Sequence, residues 1–282
     1  MTISAVIIAH SKNQNGEELV TFEIETYRYI LAEINTHKAL SRNYQSSRAI
    51  KLSRQRKIIM DNMAVPIQWG SNNPGMESNS DLIGVRRWLA KKIWRSAGIF
   101  AVAHHKLLDM VGLHKQWTNR IIEPYMYTRG VITCNVTELR KIFKLRLHPS
   151  AQPEFRELCA DMDRVLGEST PLDLKPGEWH IPYCRCWRDS NGKLIYIICD
   201  KIYTMESIIK ISISLVAQVS YRNQDSTLEK AESILKRLNI DSDENPHISP
   251  TEHIAIAVYG DAKHANFRGF KNYRTILEEG VL

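Results

Sequence analysis

Residues 35–50 constrain the chain more than any other stretch. His37, Lys38, Ser41, Arg42, Asn43, Ser46, Ser47 and Arg48 crowd together between apolar flanks at Tyr29-Ile30-Leu31 and Ala49-Ile50. The flanks draw the stretch into the body of the protein, where polar groups need hydrogen-bond partners. The fold must therefore hold a dense set of donors, with no acid among them, against something that accepts. Arginine forks and serine hydroxyls suit phosphate oxygens. On residues alone the stretch reads either as a cradle for a phosphate-bearing ligand or as a solvated basic loop.

Charge points the same way. A formal +7 over 282 residues favours anionic partners, which covers nucleic acid, nucleotides and polyanionic cofactors alike. No apolar run approaches the roughly 18 residues of a membrane span. The N-terminus, Ile3 to Ala9, has no basic leader and reads as a strand rather than a signal peptide. The five cysteines (Cys134, Cys159, Cys184, Cys186, Cys199) are odd in number and scattered, which argues against a disulfide framework. Cys184 and Cys186 beside His180 lack the second pair that a zinc site needs, so no metal is expected.

Periodicity predicts the elements. Residues 3–9 and 19–25 are strands, joined as a hairpin by the turn residues Asn13-Gln14-Asn15-Gly16. Tyr27 to Ile34 continues as a helix that delivers the polar stretch. Pro66, Gly70, Asn72, Asn73, Pro74 and Gly75 mark a long loop. From Asp81 to Gly112 apolar residues recur at helical spacing opposite Arg86, Arg87, Lys91, Lys92 and Arg95; the stripe reads as core, and Gly98 as a break. Helices follow at His114–Ile122, Thr137–Arg146, from Pro153 to a C-cap at Gly167, and at Met205–Tyr221, with a strand at Arg129–Asn135. Residues 168–186 read as irregular, then a hairpin turns at Asp189-Ser190-Asn191-Gly192. Ser226 opens a capping box to Glu229, Asp241 to Pro246 is an acidic loop, Ile254 to Val258 is a strand, and Phe267, Phe270, Tyr273 and Ile276 read as a docking helix.

No Gly-x-Gly-x-x-Gly, P-loop or Gly-x-Ser-x-Gly motif is present, so a phosphate site without a protein nucleophile suggests that a cofactor carries the chemistry. At Thr36-His37-Lys38-Ala39-Leu40-Ser41-Arg42-Asn43-Tyr44-Gln45-Ser46-Ser47-Arg48 the chain resembles the flavin-dependent thymidylate synthases. Their signature is Arg-His-Arg, two residues, Ser, one residue, Asn-Glu, one residue, Ser, one residue, Arg. Three further segments resemble the family: Leu145-Arg146 followed by Ala151-Gln152 and Glu154, Ala217 to Tyr221 (Ala-Arg-Val-Ser-Tyr there), and Ser249 to His253 (Thr-Pro-Phe-Glu-His there). The last two follow the signature here and precede it in the bacterial enzymes, so the chain looks circularly permuted, as in a phage-type branch.

The resemblance implies an α+β fold with a mixed, largely antiparallel sheet packed with long helices, in permuted order. It implies a single domain over residues 1–282, with an insertion at about 51–110 and a hairpin insertion at about 167–205. It implies that FAD is held by Thr36, His37, Lys38, Asn43, Asn135, Lys141, Ser220 and His253. Glu33, Ser46, Ser47, Arg48, Arg120 and Arg146 would hold a deoxypyrimidine monophosphate, with Arg146 stabilising charge as the ring is attacked. NADPH and methylenetetrahydrofolate would be co-substrates, dUMP the substrate and dTMP the product, in a cytoplasmic homotetramer with shared sites (host cytoplasm if virus-encoded). Thr36 and Lys38 replace arginines, and Glu33 replaces a Gln, which opens dCMP as substrate or a hydroxymethyl product. A separate reading is a basic nucleic-acid-binding protein using Arg42, Arg48, Lys51, Arg54, Arg56 and Lys57.

Overall fold

The structure, a computed structural model, describes every residue except Met1, Met76, Asn79, Arg222, 241–246, Val281 and Leu282. The acidic loop expected at Asp241 to Pro246 lies outside the described residues. The N-terminal runs fold back on each other as β1 (Ser4–Asn13) and β2 (Glu18–Tyr27). Gly16 supplies the left-handed turn residue (φ +82°), and Asn13 Oδ1 accepts from the N–H groups of Asn15 and Glu17, each at 3.0 Å. A 3-10 turn then leads into α1 (Leu31–Asn35), and the polar stretch emerges as β3 (Ser41–Tyr44). Helices α2 (Leu52–Asp61), α3 (Gly84–Met110) and α4 (Lys115–Thr118) follow, before β4 (Tyr127–Asn135), α5 (Val136–Arg146) and α6 (Pro153–Gly167).

The C-terminal part begins with β5 (Leu172–Leu174) and β6 (Trp179–His180). The hairpin β7 (Arg185–Arg188) and β8 (Leu194–Ile197) precedes α7 (Met205–Ala217) and α8 (Leu228–Leu238). Short strands β9 (Ala255–Ala257), β10 (Lys263–His264), β11 (Phe267–Arg268) and β12 (Phe270–Asn272) lead to α9 (Tyr273–Glu278).

The expected α+β architecture is present. Its main sheet has the order β3-β4-β2-β1-β5; all neighbours are antiparallel except β1 with β5, so the sheet is mixed. The period-2 alternation of β2 sorts its side chains. Val20, Phe22 and Ile24 enter a core with Leu139 and Phe143 of α5 and Phe155, Leu158 and Met162 of α6. Leu19 turns to the other face and joins a second core with Leu174, Ile208, Ile211, Leu215 and Phe270.

Several local expectations are corrected. Gly98 does not break α3, which runs uninterrupted through it; a Cβ there would meet the Met63 side chain at 2.5 Å, so the glycine allows close approach. The apolar stripe of α3 is not core: Ile93, Phe100 and Leu107 are 59%, 63% and 55% exposed. Gly167 is the last residue of α6 rather than its cap, which is Glu168. The helix expected to Ile122 ends at Thr118 and continues as a 3-10 turn through Pro124 to Tyr125. The N-cap of α8 is Thr227, one residue later than expected, because its hydroxyl accepts from Lys230 N–H. Residues 168–186 contribute β5 and β6, while Phe267 and Phe270 sit on strands rather than a helix.

Candidate active site

Much of the donor content of residues 35–50 holds the fold together. Arg42 Nη1 donates to the carbonyls of Asn35 at 3.0 Å and of Ile34 and His37 at 3.4 Å, satisfying carbonyls left open at the end of α1. Asn43 Nδ2 donates to Val216 O at 2.9 Å, and its Oδ1 accepts from Ser249 Oγ at 3.4 Å. Ser46 N–H donates to Ser220 Oγ at 3.1 Å. The signature strand, the end of α7 and the turn at Ser249 thus meet, which brings Asn43, Ser46 and Ser220 together from distant parts of the sequence.

The stretch lacks an acid in sequence, yet the fold supplies one. Glu123 accepts from the Ser47 hydroxyl at 3.0 Å and from Arg120 Nη1 at 3.2 Å, and it forms an ion pair with Arg28, whose Nε lies 3.1 Å away. Asn119 Nδ2 donates to Ser47 O at 2.7 Å. Ser47 is buried and committed to these partners, while Arg48 and Arg120 remain exposed. Arg28, Asn119 and Glu123 were not singled out from the sequence. No short motif marks them, because they meet Ser47 only through tertiary packing.

Arg146, at the end of α5, is the best-positioned of the expected residues. Its Nε donates to His37 Nε2 at 2.9 Å, and its guanidinium lies 5.1 Å from the centre of the Phe155 ring. The His37 ring meets Phe155 edge-on at 5.6 Å. Burial, then the charges of Arg146 and Arg42, hold the His37 pKa below its ordinary value, so His37 is the neutral acceptor that the arginine needs. Arg146 and Glu33 line a cleft of about 610 Å³ with the loop residues Gln68, Gly70, Glu77 and Ser78 and with Ala151-Gln152. Glu33 Oε2 is buried there without a hydrogen-bond partner. Thr36 is outside the cleft lining, its hydroxyl spent on Glu33 O at 2.7 Å.

Lys38 lines a different cavity of about 230 Å³ with Asn135, Lys263, Asn266 and Arg268. Asn135 is fully used by the backbone: its Nδ2 donates to Arg268 O at 3.0 Å and its Oδ1 accepts from Arg268 N–H at 2.8 Å. Lys141 pairs with Glu138 at 2.6 Å on the surface of α5, close in sequence to this cavity's Thr137 and Glu138.

His253 is in neither cavity. It is fully buried on the sheet face opposite α5 and α6, with Nδ1 2.8 Å from Thr133 Oγ1. Thr133 Oγ1 is 2.8 Å from Thr21 Oγ1, which is 2.8 Å from His180 Nε2, and His180 Nδ1 is 2.9 Å from Ser11 Oγ. Burial drives the pKa of both histidines from 6.5 to about 3. His253 Nε2 is a buried atom without a partner among the described residues. No group of three or more His, Cys, Asp or Glu side chains is placed to hold a metal among the described residues.

The family model for the thymidylate synthase complementing proteins matches residues 17–172, more than half of the chain. The chain belongs to that family. The match runs from β2 to β5 and takes in the signature stretch, residues 51–110 and Arg146, while Ser220 and His253 lie beyond it. Membership makes the chain a pyrimidine-nucleotide-modifying enzyme. Among solved structures, two of the UMP/dUMP methylase PolB from Streptomyces cacaoi are similar. The one bound with 5-Br UMP is 14% identical with a TM-score of 0.49, covering 59% of this chain and 89% of that one. The one bound with 5-Br dUMP is 13% identical with a TM-score of 0.48, covering 59% and 90%. No curated protein matches the chain. Among the described residues no helix is long and apolar enough to cross a membrane.

Proposed function

We propose that this protein transfers a one-carbon unit to C5 of a deoxypyrimidine monophosphate, converting dUMP to dTMP with methylenetetrahydrofolate as carbon source and NADPH as reductant. Its family membership supports the reaction class, and the observation that carries the site is Arg146, held by His37, opening with Glu33 onto one cleft. Bound FAD would relay the carbon unit and supply hydride. Lys38, Lys263 and Arg268 would face its pyrophosphate, outnumbering Glu17 and Glu138 by one charge around a cavity sized for part of the cofactor rather than all of it.

The chain's own residues supply positioning and electrostatics. Arg146 is aimed by His37 and propped on Phe155, so its guanidinium keeps one fixed direction. There it would stabilise negative charge that develops on the pyrimidine oxygen as the ring is attacked and C5 becomes nucleophilic. Arg48, exposed two residues after Ser46, would turn to the nucleotide phosphate, and Arg120, exposed but paired with Glu123 at 3.2 Å, would join it by leaving that carboxylate. The expected homotetramer with shared sites, and the permuted single-domain organisation with additions at 51–110 and 167–205, belong to this proposal.

Glu33 favours keeping dCMP as a second substrate. An unpartnered carboxylate oxygen accepts the N3–H of uracil or the amino group of cytosine equally well. A hydroxymethyl product follows if water rather than hydride ends the reaction. The test is a visible absorption spectrum of the purified protein, recorded before and after dUMP and then dCMP. A flavin spectrum that shifts with one nucleotide is the expected result and selects the base; a colourless protein that takes up no added FAD overturns the proposal.

A further inference from the structure

Helix α3 shows two faces of opposite character. Gly98, Val102 and His105 are buried against the body of the chain. His105 accepts from Arg56 Nη1 at 3.1 Å through Nδ1, so its Nε2–H donates to Asn119 Oδ1 at 2.8 Å, which locks the helix in one rotation. On the opposite side Ile93, Ser96, Phe100, Ala103, Leu107 and Met110 recur in alternating steps of three and four, and every one is exposed. That spacing is the heptad seam of a helix pair, which keeps one stripe turned to a partner. At 1.5 Å per residue the helix is about 40 Å long. The stripe from Ile93 to Met110 covers about 25 Å of that length, and a contiguous exposed apolar patch of this kind marks an interaction surface.

Size and charge select the occupant. The smallest residues of the seam, Ser96 and Ala103, flank its largest, Phe100. When two such seams run antiparallel about a twofold axis near Phe100, each phenylalanine falls on a small residue of the other copy. The seam is therefore complementary to itself. Charge fixes the direction. Arg86, Arg87, Lys91, Lys92 and Arg95 fill the first half of α3, while the second half carries Lys106 and Asp109 as its fixed charges. A parallel pair would set basic half against basic half. The antiparallel pair sets it against the sparsely charged half.

We propose that α3 is a homotypic antiparallel interface through which two copies of this chain associate, with Phe100 as its anchor. The inference names a surface and a register for the self-association in the functional proposal, and it stands on α3 alone.

Sedimentation of the full chain tests it. The wild type is expected to run as a dimer or a multiple of one. Phe100→Asp with Leu107→Asp, both at exposed positions, is expected to halve the mass while far-ultraviolet circular dichroism and melting stay unchanged. Direction is read by mixing Ile93→Cys and Leu107→Cys chains with a short bismaleimide. Antiparallel pairing yields the mixed cross-link above the background of the unsubstituted chain; same-residue cross-links alone overturn the register. A monomeric wild type, or a double-aspartate variant that keeps its mass, overturns the interface. So does a monomeric wild type that binds anionic lipid vesicles through this face. Flavin and nucleotide binding report separately: an oligomer that binds both but keeps its mass in the double-aspartate variant defeats only this inference, and a dimer that binds neither defeats only the functional proposal.

Discussion

At the residue scale the proposed reaction turns on Arg146. Its charge is useful only because His37 and Phe155 fix its direction, a preorganisation that costs nothing at the moment of reaction. Replacing Arg146 with Ala is expected to lower turnover by about 10²–10³-fold, as removal of a charge-stabilising donor does. Nucleotide affinity should change less, since the proposed phosphate site at Ser46 and Arg48 is separate; steady-state kinetics beside a nucleotide titration separates the two. Glu33→Gln tests base choice. An amide both donates and accepts where the carboxylate only accepts, so the ratio of dUMP to dCMP turnover is expected to shift toward dUMP, and an unchanged ratio removes Glu33 from base recognition. Arg146 was legible because Leu145-Arg146 and Ala151-Gln152 form a local pattern. Glu123 and Phe155 were not, because no spacing in the sequence says which side chains meet across α5, α6 and the turn before β4.

At the element scale the signature stretch serves two ends. Arg42 and Asn43 fasten β3 to α1 and α7, while Arg48 stays exposed. Ser46→Ala with Arg48→Ala is therefore expected to weaken nucleotide binding without unfolding the chain; calorimetric affinity unchanged from wild type would move the phosphate site elsewhere. The β1–β2 turn is another joint. Asn13 is buried, and its Nδ2 also donates to Gly269 O at 3.1 Å, so one side chain pins the hairpin to the C-terminal strands. Asn13→Ala strands a buried carbonyl and two turn N–H groups, with an expected cost of about 1–3 kcal/mol in urea unfolding. The strands, α5 and the β7–β8 hairpin were readable because period and turn chemistry agreed locally. The burial of α3 was not readable: an apolar stripe has the same spacing whether it faces the chain's own core or another molecule.

Across the whole molecule, the Ser11–His180–Thr21–Thr133–His253 line crosses the sheet and joins β1, β2, β4 and β6 to the turn at Ser249–His253. Both histidines have folded-state pKa values near 3 against an ordinary 6.5. Between those values the unfolded chain binds more protons than the folded one, so stability is full above about pH 6.5 and falls as pH drops toward 3. Urea midpoints measured across that window are expected to decline, and His180→Gln or His253→Gln should flatten the decline; an equal slope in both variants would assign it to the carboxylates. The sequence by itself determined the periodicities, the turn at Gly16, the donor-rich signature and the family it belongs to, because these reside in residue types at short spacings. Only the tertiary structure decided which donors are spent on the fold, that Glu123 answers Ser47, that His253 lies in the core rather than at a cavity, and that the α3 stripe is bare. Each of those depends on residues brought together from far apart in the chain, and on which of two chemically equal faces the packing covers.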